Sequence, residues 1–179
     1  MPQPKLLKVK LDNNLIEKTE LFGGHQNLVS LELRKNRLTN ITGLSSMPQL
    51  QELYLNENKI TDLSALTDLH NLRKLDLNTN KIVSLASKPD LPALEVIDLS
   101  NNLIASIDEL IHLGSFPKLR VIILTGCPLA EEQADKLKNE ILIMIGPQLK
   151  YLKTVNEEEV TEEDIQAAND ERKERAKAK

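Results

Sequence analysis

The sequence predicts an α/β solenoid, in which short coils of chain stack along one axis and each coil adds one strand to a parallel sheet. The first observation behind this prediction is a motif that recurs every 22 residues. The second is an aromatic content of only 2%, with no Trp, because a narrow column of leucines needs few large side chains to fill it. The third is a C-terminal segment with apolar residues at helical spacing, which suits a cap that closes the end of such a stack.

The repeated motif has the frame L-x-x-L-x-L-x-x-N-x-L, in which Val or Ile also occupies leucine positions. A sixth frame follows three residues late and has Cys127 where asparagine is expected. This frame is the leucine-rich-repeat signature, and it predicts a leucine-rich-repeat solenoid with a structural ladder of polar turn residues. The ladder comprises Asn14, Asn36, Asn58, Asn80, Asn102 and Cys127.

Each part of the frame predicts a local structure. Alternating leucines such as Leu31 and Leu33 indicate a half-buried strand, so the strands together form a concave parallel sheet. The asparagine is expected in the following turn, where its amide can bond backbone groups of its own and the next repeat. Such groups cost roughly 1–3 kcal/mol each if they are buried unpaired. The return segments carry apolar residues at a spacing of three, as in Ile41, Leu44 and Met47, which favours short 3₁₀ or irregular convex turns.

The chain divides into a leucine-rich-repeat domain at 1–153, whose C-terminal cap covers about 130–153, and a tail at 154–179. The cap is predicted as one helix over 130–145, stopped by the Gly146-Pro147 pair. Leu149 and Leu152 are expected to add a strand-like seal. The N-terminal end looks uncapped, because only residues 1–5 precede the first leucine. Either the chain is a segment of a longer protein, or its proline-flanked start and polar first strand suffice.

The tail is predicted to be a charged helix. It holds nine acidic and five basic residues, and the acids precede the bases, which suits the helix dipole. Beyond Val160 and Ile165 it has no apolar stripe. Two interpretations remain, a solvated extension or a helical strut that docks on a partner.

Composition excludes several classes of function. The net charge of −4 resides in the tail, and the repeat body is neutral, so no basic field favours nucleic acid. The single cysteine rules out an internal disulfide and favours a reducing, cytoplasmic compartment. No apolar run reaches the length of a signal peptide or a membrane span.

The sequence offers no constellation for catalysis, a cofactor or a metal ion. It has no glycine-rich phosphate loop and no His/Cys pair at metal-ligand spacing. Cys127 is better explained as a buried turn residue than as a nucleophile, because no histidine occupies a matching position. Asp76 and Asp98 fall on neighbouring strands and could hold a cation, although a Lys or Arg of a partner suits them better. We therefore expect a non-enzymatic protein.

The candidate binding surface is the concave face, where exposed strand residues line up in columns from repeat to repeat. Its middle is acidic with one tyrosine, and its C-terminal end is apolar, a combination that suits a protein partner. The alternative is a solvated sheet with scattered apolar residues. The predicted protein-binding residues are Glu32, Arg34, Glu52, Tyr54, Asp76, Val96, Asp98, Val121 and Ile123.

The 22-residue frame with its Leu-x-x-Leu convex segments resembles an intracellular subclass of leucine-rich-repeat proteins. That subclass includes the nuclear regulatory subunit of protein phosphatase 1, outer-arm dynein light chain 1 and the spliceosomal U2 A-prime protein. Residues 91–132 and 147–179 resemble the C-terminal half of the radial-spoke leucine-rich-repeat protein of motile cilia. The shared features are a lengthened last repeat and a charged helical tail after the cap, which in that family ends in a leucine-aspartate-like pair. Here Leu152-Lys153 replaces the leucine-aspartate-like pair of that family.

The resemblance implies a structural component of the ciliary or flagellar axoneme. Such a protein would lie in the radial spoke, bind axonemal proteins and act as a monomer within a larger complex, without nucleic acid or membrane partners. The alternative is a regulatory subunit that binds an enzyme such as protein phosphatase 1 through its concave face. That family uses many more repeats than this chain contains.

Overall fold

A single eight-stranded sheet runs through the computed structural model, which describes residues 6–20, 22, 24–87 and 89–178. The strands follow one another in chain order; β1 to β7 are parallel, and β8 is antiparallel to β7. The strands are β1 Lys8–Lys10, β2 Ser30–Glu32, β3 Glu52–Tyr54, β4 Lys74–Asp76, β5 Val96–Asp98, β6 Val121–Ile123, β7 Thr154–Val155 and β8 Glu158–Glu159. The predicted parallel sheet of stacked coils is confirmed.

The register of the sheet follows the repeat. Val9 pairs with Leu31, and Leu31 pairs with Leu53, so equivalent residues of successive coils are direct neighbours. The central strand residues point into a column of leucines and isoleucines that is almost fully shielded from solvent. Burial of each such side chain contributes roughly 1.5–3 kcal/mol. The column therefore adds a hydrophobic contribution to the cohesion between coils.

The first coil is the least buried. Leu6 is 53% exposed and Leu15 is 69% exposed, and Val9 and Leu11 are only partly covered. Equivalent leucines of the second coil, such as Leu31 and Leu33, are fully buried. The question of an N-terminal cap at residues 1–5 lies outside the described residues.

The convex side has the short turns that the apolar spacing of three predicts. Its longest element is a 3₁₀ helix over Ile107–Ser115, capped by the Ser106 side chain, which accepts a hydrogen bond from the Asp108 N–H. In the earlier repeats the returns are single turns, such as the Leu44 N–H donating to the Ile41 carbonyl at 2.9 Å. The apolar residues of these segments are buried against the leucine column.

The asparagine ladder joins each coil to the coil before it. The amide nitrogen of Asn80 donates to the carbonyls of Leu77 in its own coil, at 2.9 Å, and Leu55 in the preceding coil, at 3.0 Å. Its amide oxygen accepts the N–H of Ile60 at 2.9 Å. Asn36, Asn58 and Asn102 make the same set of bonds.

Two features of the ladder differ from the sequence-based expectation. The asparagine amide bonds backbone groups of its own coil and of the preceding coil, whereas the sequence predicted bonds to the next coil. Asn14 is exposed, and among the described residues its amide nitrogen bonds the Leu11 and Asp12 carbonyls of its own coil and no other group. At the other end, the Cys127 thiol donates to the Leu99 carbonyl at 3.2 Å and keeps one contact of the missing amide.

A residue with a positive φ, in the left-handed region, precedes every ladder position. The repeat motif did not indicate this conformation. Gly126 has a φ of +73° before Cys127, and a Cβ there would lie 2.3 Å from the Asn101 side-chain oxygen. Glycine suits this position of the sixth coil, because it adopts the left-handed conformation without strain and leaves room for the Asn101 side chain. In the first five coils the same role falls to Asn13, Lys35, Glu57, Thr79 and Asn101, with φ between +54° and +59°.

The cap differs from the single predicted helix. It consists of α1 at Pro128–Glu132 and α2 at Leu137–Ile145, separated by a turn. The break has a simple cause: residues 133–136 carry no large apolar side chain to hold that turn against the core. Helix α2 ends before Gly146-Pro147, as predicted. Leu149 and Leu152 are buried, but the sealing strand is β7, which begins two residues later.

The tail is integrated with the repeat domain. The boundary expected between residues 153 and 154 falls inside the sheet, because β7 and β8 form a hairpin on its last parallel edge. Helix α3 at Glu162–Lys177 follows, begun by a capping box between Thr161 and Asp164. Among the described residues, no helix is long and apolar enough to cross a membrane.

Helix α3 packs on α2 and is therefore not the solvated extension that its composition suggested. Ala168 is fully buried, and the Arg172 guanidinium donates to the Leu142 and Ile143 carbonyls near the end of α2. Ion pairs reinforce the contact, with Lys138 3.0 Å from Asp164 and Arg175 2.7 Å from Glu140. The contact is mostly polar, so a search for an apolar stripe could not reveal it.

Asn80→Ala should destabilise the protein, because it leaves the buried Ile60 N–H without a partner and removes one of the two amide donors that the Leu55 and Leu77 carbonyls each have. Each unpaired group costs roughly 1–3 kcal/mol. Asn14→Ala is the matched control, and its cost should stay within about 0.5 kcal/mol because that site is exposed. Urea unfolding followed by circular dichroism measures both changes. Equal losses for the two variants would show that the ladder does not hold the coils together.

Candidate protein-binding surface on the concave sheet

The strand register places eight of the nine candidate residues in two columns on the concave face, and Arg34 follows β2 two residues after Glu32. Neighbouring strands lie about 4.8 Å apart, so side chains in one column can contact each other directly. One column contains Lys8, Ser30, Glu52, Lys74, Val96 and Val121, and the other contains Lys10, Glu32, Tyr54, Asp76, Asp98 and Ile123. The sheet thus gathers residues that are 22 or more positions apart in the chain.

Tyr54 lies between two cations in the middle of this face. The guanidinium carbon of Arg34 is 4.1 Å from the ring centroid, and the Lys74 ammonium is 5.1 Å away. Both distances permit cation–π attraction. Arg34 is itself held by Asp12, 3.2 Å away. The ring is therefore a partly exposed aromatic group in a fixed position. Lys74 was not among the predicted protein-binding residues; it lies on the strand next to Tyr54, two residues before the direct partner Asp76.

Glu32 is a buried structural residue, which corrects its assignment as a partner contact. It is 2% exposed. Its carboxylate pairs with Lys8 at 2.6 Å, with Lys10 at 3.2 Å and with Arg34. Burial by itself would raise the pKa of this carboxyl, but hydrogen bonds from the three cations outweigh it and lower the pKa to about 2. Glu32 thereby ties together the cations at the N-terminal end of the face.

Asp76 and Asp98 are direct neighbours on β4 and β5. Asp76 accepts the Asn78 N–H at 3.1 Å, and Asp98 accepts the Ser100 N–H at 2.9 Å. Burial raises the pKa of the Asp76 carboxyl. The hydrogen bond from the Asn78 N–H lowers this pKa and the negative charge of Asp98 raises it, and the net shift is upward. A cation placed over the pair would relieve this repulsion. Among the described residues, no three His, Cys, Asp or Glu side chains gather in a metal-like cluster.

The apolar residues lie beside the acidic pair. Val96 pairs with Val121, and Ile123 pairs with Asp98. All three apolar side chains are partly exposed. Glu52, two strands before Val96 in the column that contains Val96 and Val121, accepts a hydrogen bond from the Ser30 hydroxyl at 3.2 Å. The face therefore runs from a cation cluster through a tyrosine and two carboxylates to an apolar patch.

Cys127 lies outside this face and has no features of a nucleophile. It is fully buried. Burial raises the pKa of its thiol, whereas reactive cysteines have a lowered pKa. Its role in the structure is the hydrogen bond that ends the ladder.

Comparison with known families supports the class of protein that the fold defines. Residues 26–68 and residues 48–93 each match the family described as Leucine Rich repeats (2 copies). The fold is that of a leucine-rich-repeat solenoid. No curated protein sequence matches the chain significantly.

Solved structures share this fold. A chain of the SNF/U2A' complex of Drosophila melanogaster is 25% identical with a TM-score of 0.59, covering 74% of this chain and 76% of that chain. A leucine-rich-repeat protein of Leptospira interrogans is 24% identical with a TM-score of 0.65, covering 84% and 36%. An internalin of Listeria monocytogenes is 22% identical with a TM-score of 0.61, covering 82% and 40%. The chain thus spans less than half the length of the two bacterial proteins.

Replacement of Glu32 by Gln should make the free energy of unfolding depend less on pH under acidic conditions. The pKa of Glu32 is about 2 in the folded protein and ordinarily 4.5. Its ionised form therefore stabilises the fold above pH 4.5, and this contribution is lost as the pH falls toward 2. Urea unfolding at a series of pH values should show a smaller loss over this window in the variant. Parallel profiles for the two proteins would contradict the lowered pKa.

Proposed function

We propose that this protein is a non-enzymatic docking scaffold that binds a protein partner through its concave face. The observation that supports this most directly is the fixed cluster at the centre of the face, with Tyr54 between Arg34 and Lys74. Tyrosine and arginine are enriched among the residues that dominate binding at protein interfaces. Because the sheet already orders these side chains, little conformational freedom is lost when a partner docks. Leucine-rich-repeat folds are typically non-enzymatic, which supports the same function.

The chemistry of the face indicates what the partner should present. Asp76 and Asp98 would accept a lysine or arginine, and the neighbouring Val96, Val121 and Ile123 would accept an apolar side chain. A basic residue beside an aliphatic one therefore suits this end of the face. That a chain of the SNF/U2A' complex shares the fold gives further support to partner binding.

For the partner's identity, we propose a component of the ciliary or flagellar axoneme, with this protein in the radial spoke. The support is the resemblance of residues 91–132 and 147–179 to the radial-spoke leucine-rich-repeat protein. In this proposal the protein is cytoplasmic and acts as a monomer within a larger assembly. Its task is to join neighbouring spoke proteins.

Fractionation of ciliated cells tests the location. The protein should remain with the axoneme when cilia are demembranated with detergent, because a spoke component is held by protein contacts. Immunoblots of the axoneme, the detergent extract, the cytosol and the nucleus provide the measurement. Recovery only from the cytosol or the nucleus would reject the axonemal proposal. It would not contradict the proposal that the concave face binds a protein partner.

A second candidate function is a regulatory subunit that binds an enzyme such as protein phosphatase 1. The acidic and aromatic groups of the concave face favour it, since they could grip a basic surface of a catalytic subunit. Both candidates use the same face, so the protein captured there distinguishes them.

Affinity capture from ciliated cells with the triple variant Tyr54→Ala, Asp76→Ala, Asp98→Ala should lose the bound partner. The amount of captured partner should fall at least about tenfold, because each central interface residue contributes roughly 1 kcal/mol or more to binding. The control is the double variant Asp90→Ala, Glu131→Ala, which removes two exposed carboxylates away from the concave columns. Quantitative mass spectrometry measures the captured proteins. Equal capture by the triple variant and the wild type would reject the concave face.

A further inference from the structure

A third column of side chains, separate from the two on the concave face, lies immediately before the strands. Backbone hydrogen bonds connect its members from coil to coil: Glu95 donates to the Arg73 carbonyl, Arg120 to the Glu95 carbonyl and Lys153 to the Arg120 carbonyl, each at 2.8 Å. These residues therefore lie on four consecutive coils at the spacing of the sheet. With Lys118 and Tyr151 they form a surface that we call the basic ridge, made of Arg73, Glu95, Lys118, Arg120, Tyr151 and Lys153.

The basic ridge contains two hollows that adjoin each other. One, of about 310 Å³, is lined by Glu95, Lys118, Arg120 and Tyr151. The other, of about 220 Å³, shares Glu95 and Lys118 and extends to Arg73 and His70. Tyr151 is 56% exposed. The ridge is thus an indented surface with an aromatic side chain at one end.

The charge of this surface is opposite to that of the whole chain. Among the described residues, Glu95 is the one carboxylate within 4 Å of any cation of the ridge, at 3.6 Å from Arg73 and 3.7 Å from Arg120. The ridge thus contains four cations and one carboxylate, in a protein whose net charge is −4. Such a cluster of exposed cations attracts an acidic partner.

An apolar cleft continues the ridge at the C-terminal end. It has a volume of about 330 Å³ and lies between α2 and α3. Its walls include Leu149, Val160 and Ile165, and Lys150 and Arg172 also line it. Ile165 is 44% exposed. Lys150 lines the cleft and Tyr151 lines the first hollow of the ridge, so these two parts of the surface are joined by consecutive residues.

We propose that the basic ridge and this cleft together bind an acidic segment of a protein partner that carries an apolar anchor residue. Its carboxylates would pair with Lys118, Arg120 and Lys153. Its apolar side chain would enter the cleft against Ile165. The volume of the cleft suits an aliphatic or aromatic side chain, and burial of one contributes roughly 1.5–3 kcal/mol.

The apolar cleft decides in favour of an acidic polypeptide over a nucleic acid. A phosphate backbone could follow the cations of the ridge, but it would leave the aliphatic walls of the cleft without a complement. An acidic peptide with an apolar residue satisfies both parts. This surface is separate from the concave columns, so the scaffold could hold two proteins at once.

A titration of the ¹⁵N-labelled full chain tests the proposal. The probe is a synthetic peptide with a central pair of leucines flanked by glutamates. Saturable shifts should appear at the amides of Lys118, Arg120, Tyr151 and Ile165. A peptide with lysines in place of the glutamates should produce none of them. Shifts at the ridge with a single-stranded RNA oligonucleotide, and none with the acidic peptide, would overturn the proposal.

Two charge-reversal variants complete the experiment. Arg120→Glu with Lys153→Glu should weaken peptide binding at least about tenfold, because it reverses the centre of the ridge. The matched control, Lys59→Glu with Lys81→Glu, changes the same charge on two adjacent coils beyond the other end of the strands. Equal weakening by both pairs, or by neither, would overturn the proposal.

Two further variants separate the parts of the surface. Ile165→Ala should weaken peptide binding while Tyr54→Ala on the concave face leaves it unchanged. An unchanged affinity in Ile165→Ala would remove the cleft from the proposed surface. A loss in Tyr54→Ala would mean that the peptide binds the concave face, which overturns the ridge proposal and not the proposed scaffold function.

Discussion

The side-chain amide that bridges consecutive coils is the interaction on which the rest of the structure depends. Each turn buries backbone carbonyls and an N–H that have no partner in their own strand. The asparagine of the following coil satisfies them with one donor group and one acceptor oxygen, as Asn80 does for Leu55 and Ile60. Because both ends of the amide are engaged, the distance and the rotation between coils are fixed together. The sheet register follows from this, and with it every column on the surface.

This register explains how a chain without a catalytic constellation can still present organised surfaces. A residue at a given position of the repeat always meets its counterparts from the neighbouring coils. Residues at offset positions of neighbouring coils also meet, and on the concave face this brings Arg34, Tyr54 and Lys74 together diagonally across three coils. One position before the strands, it aligns Arg73 with Glu95 and Glu95 with Arg120. The two surfaces differ in their chemistry but share one geometric cause.

The C-terminal end solves a different physical problem, because the last coil would otherwise leave an open apolar edge. Helix α2 covers the core, and the hairpin of β7 and β8 completes the sheet. The Leu142 and Ile143 carbonyls near the end of α2 accept hydrogen bonds from the Arg172 guanidinium of α3. A charged helix can thus be held on the protein by its polar groups, with Ala168 as its single fully buried residue.

The sequence alone determined the solenoid, the parallel strands, the polar ladder and the short convex turns. Each of these features follows from a local pattern that recurs in successive repeats. It also placed Tyr54, Asp76 and Asp98 on one face, since a fixed period sets their register. Only the tertiary structure decided that Glu32 is buried among three cations, that the cap breaks into two helices and that α3 docks on α2. It likewise decided the alignment of the basic ridge. These features depend on contacts between segments with no shared period, such as Arg172 with Leu142, and local patterns carry no information about such contacts.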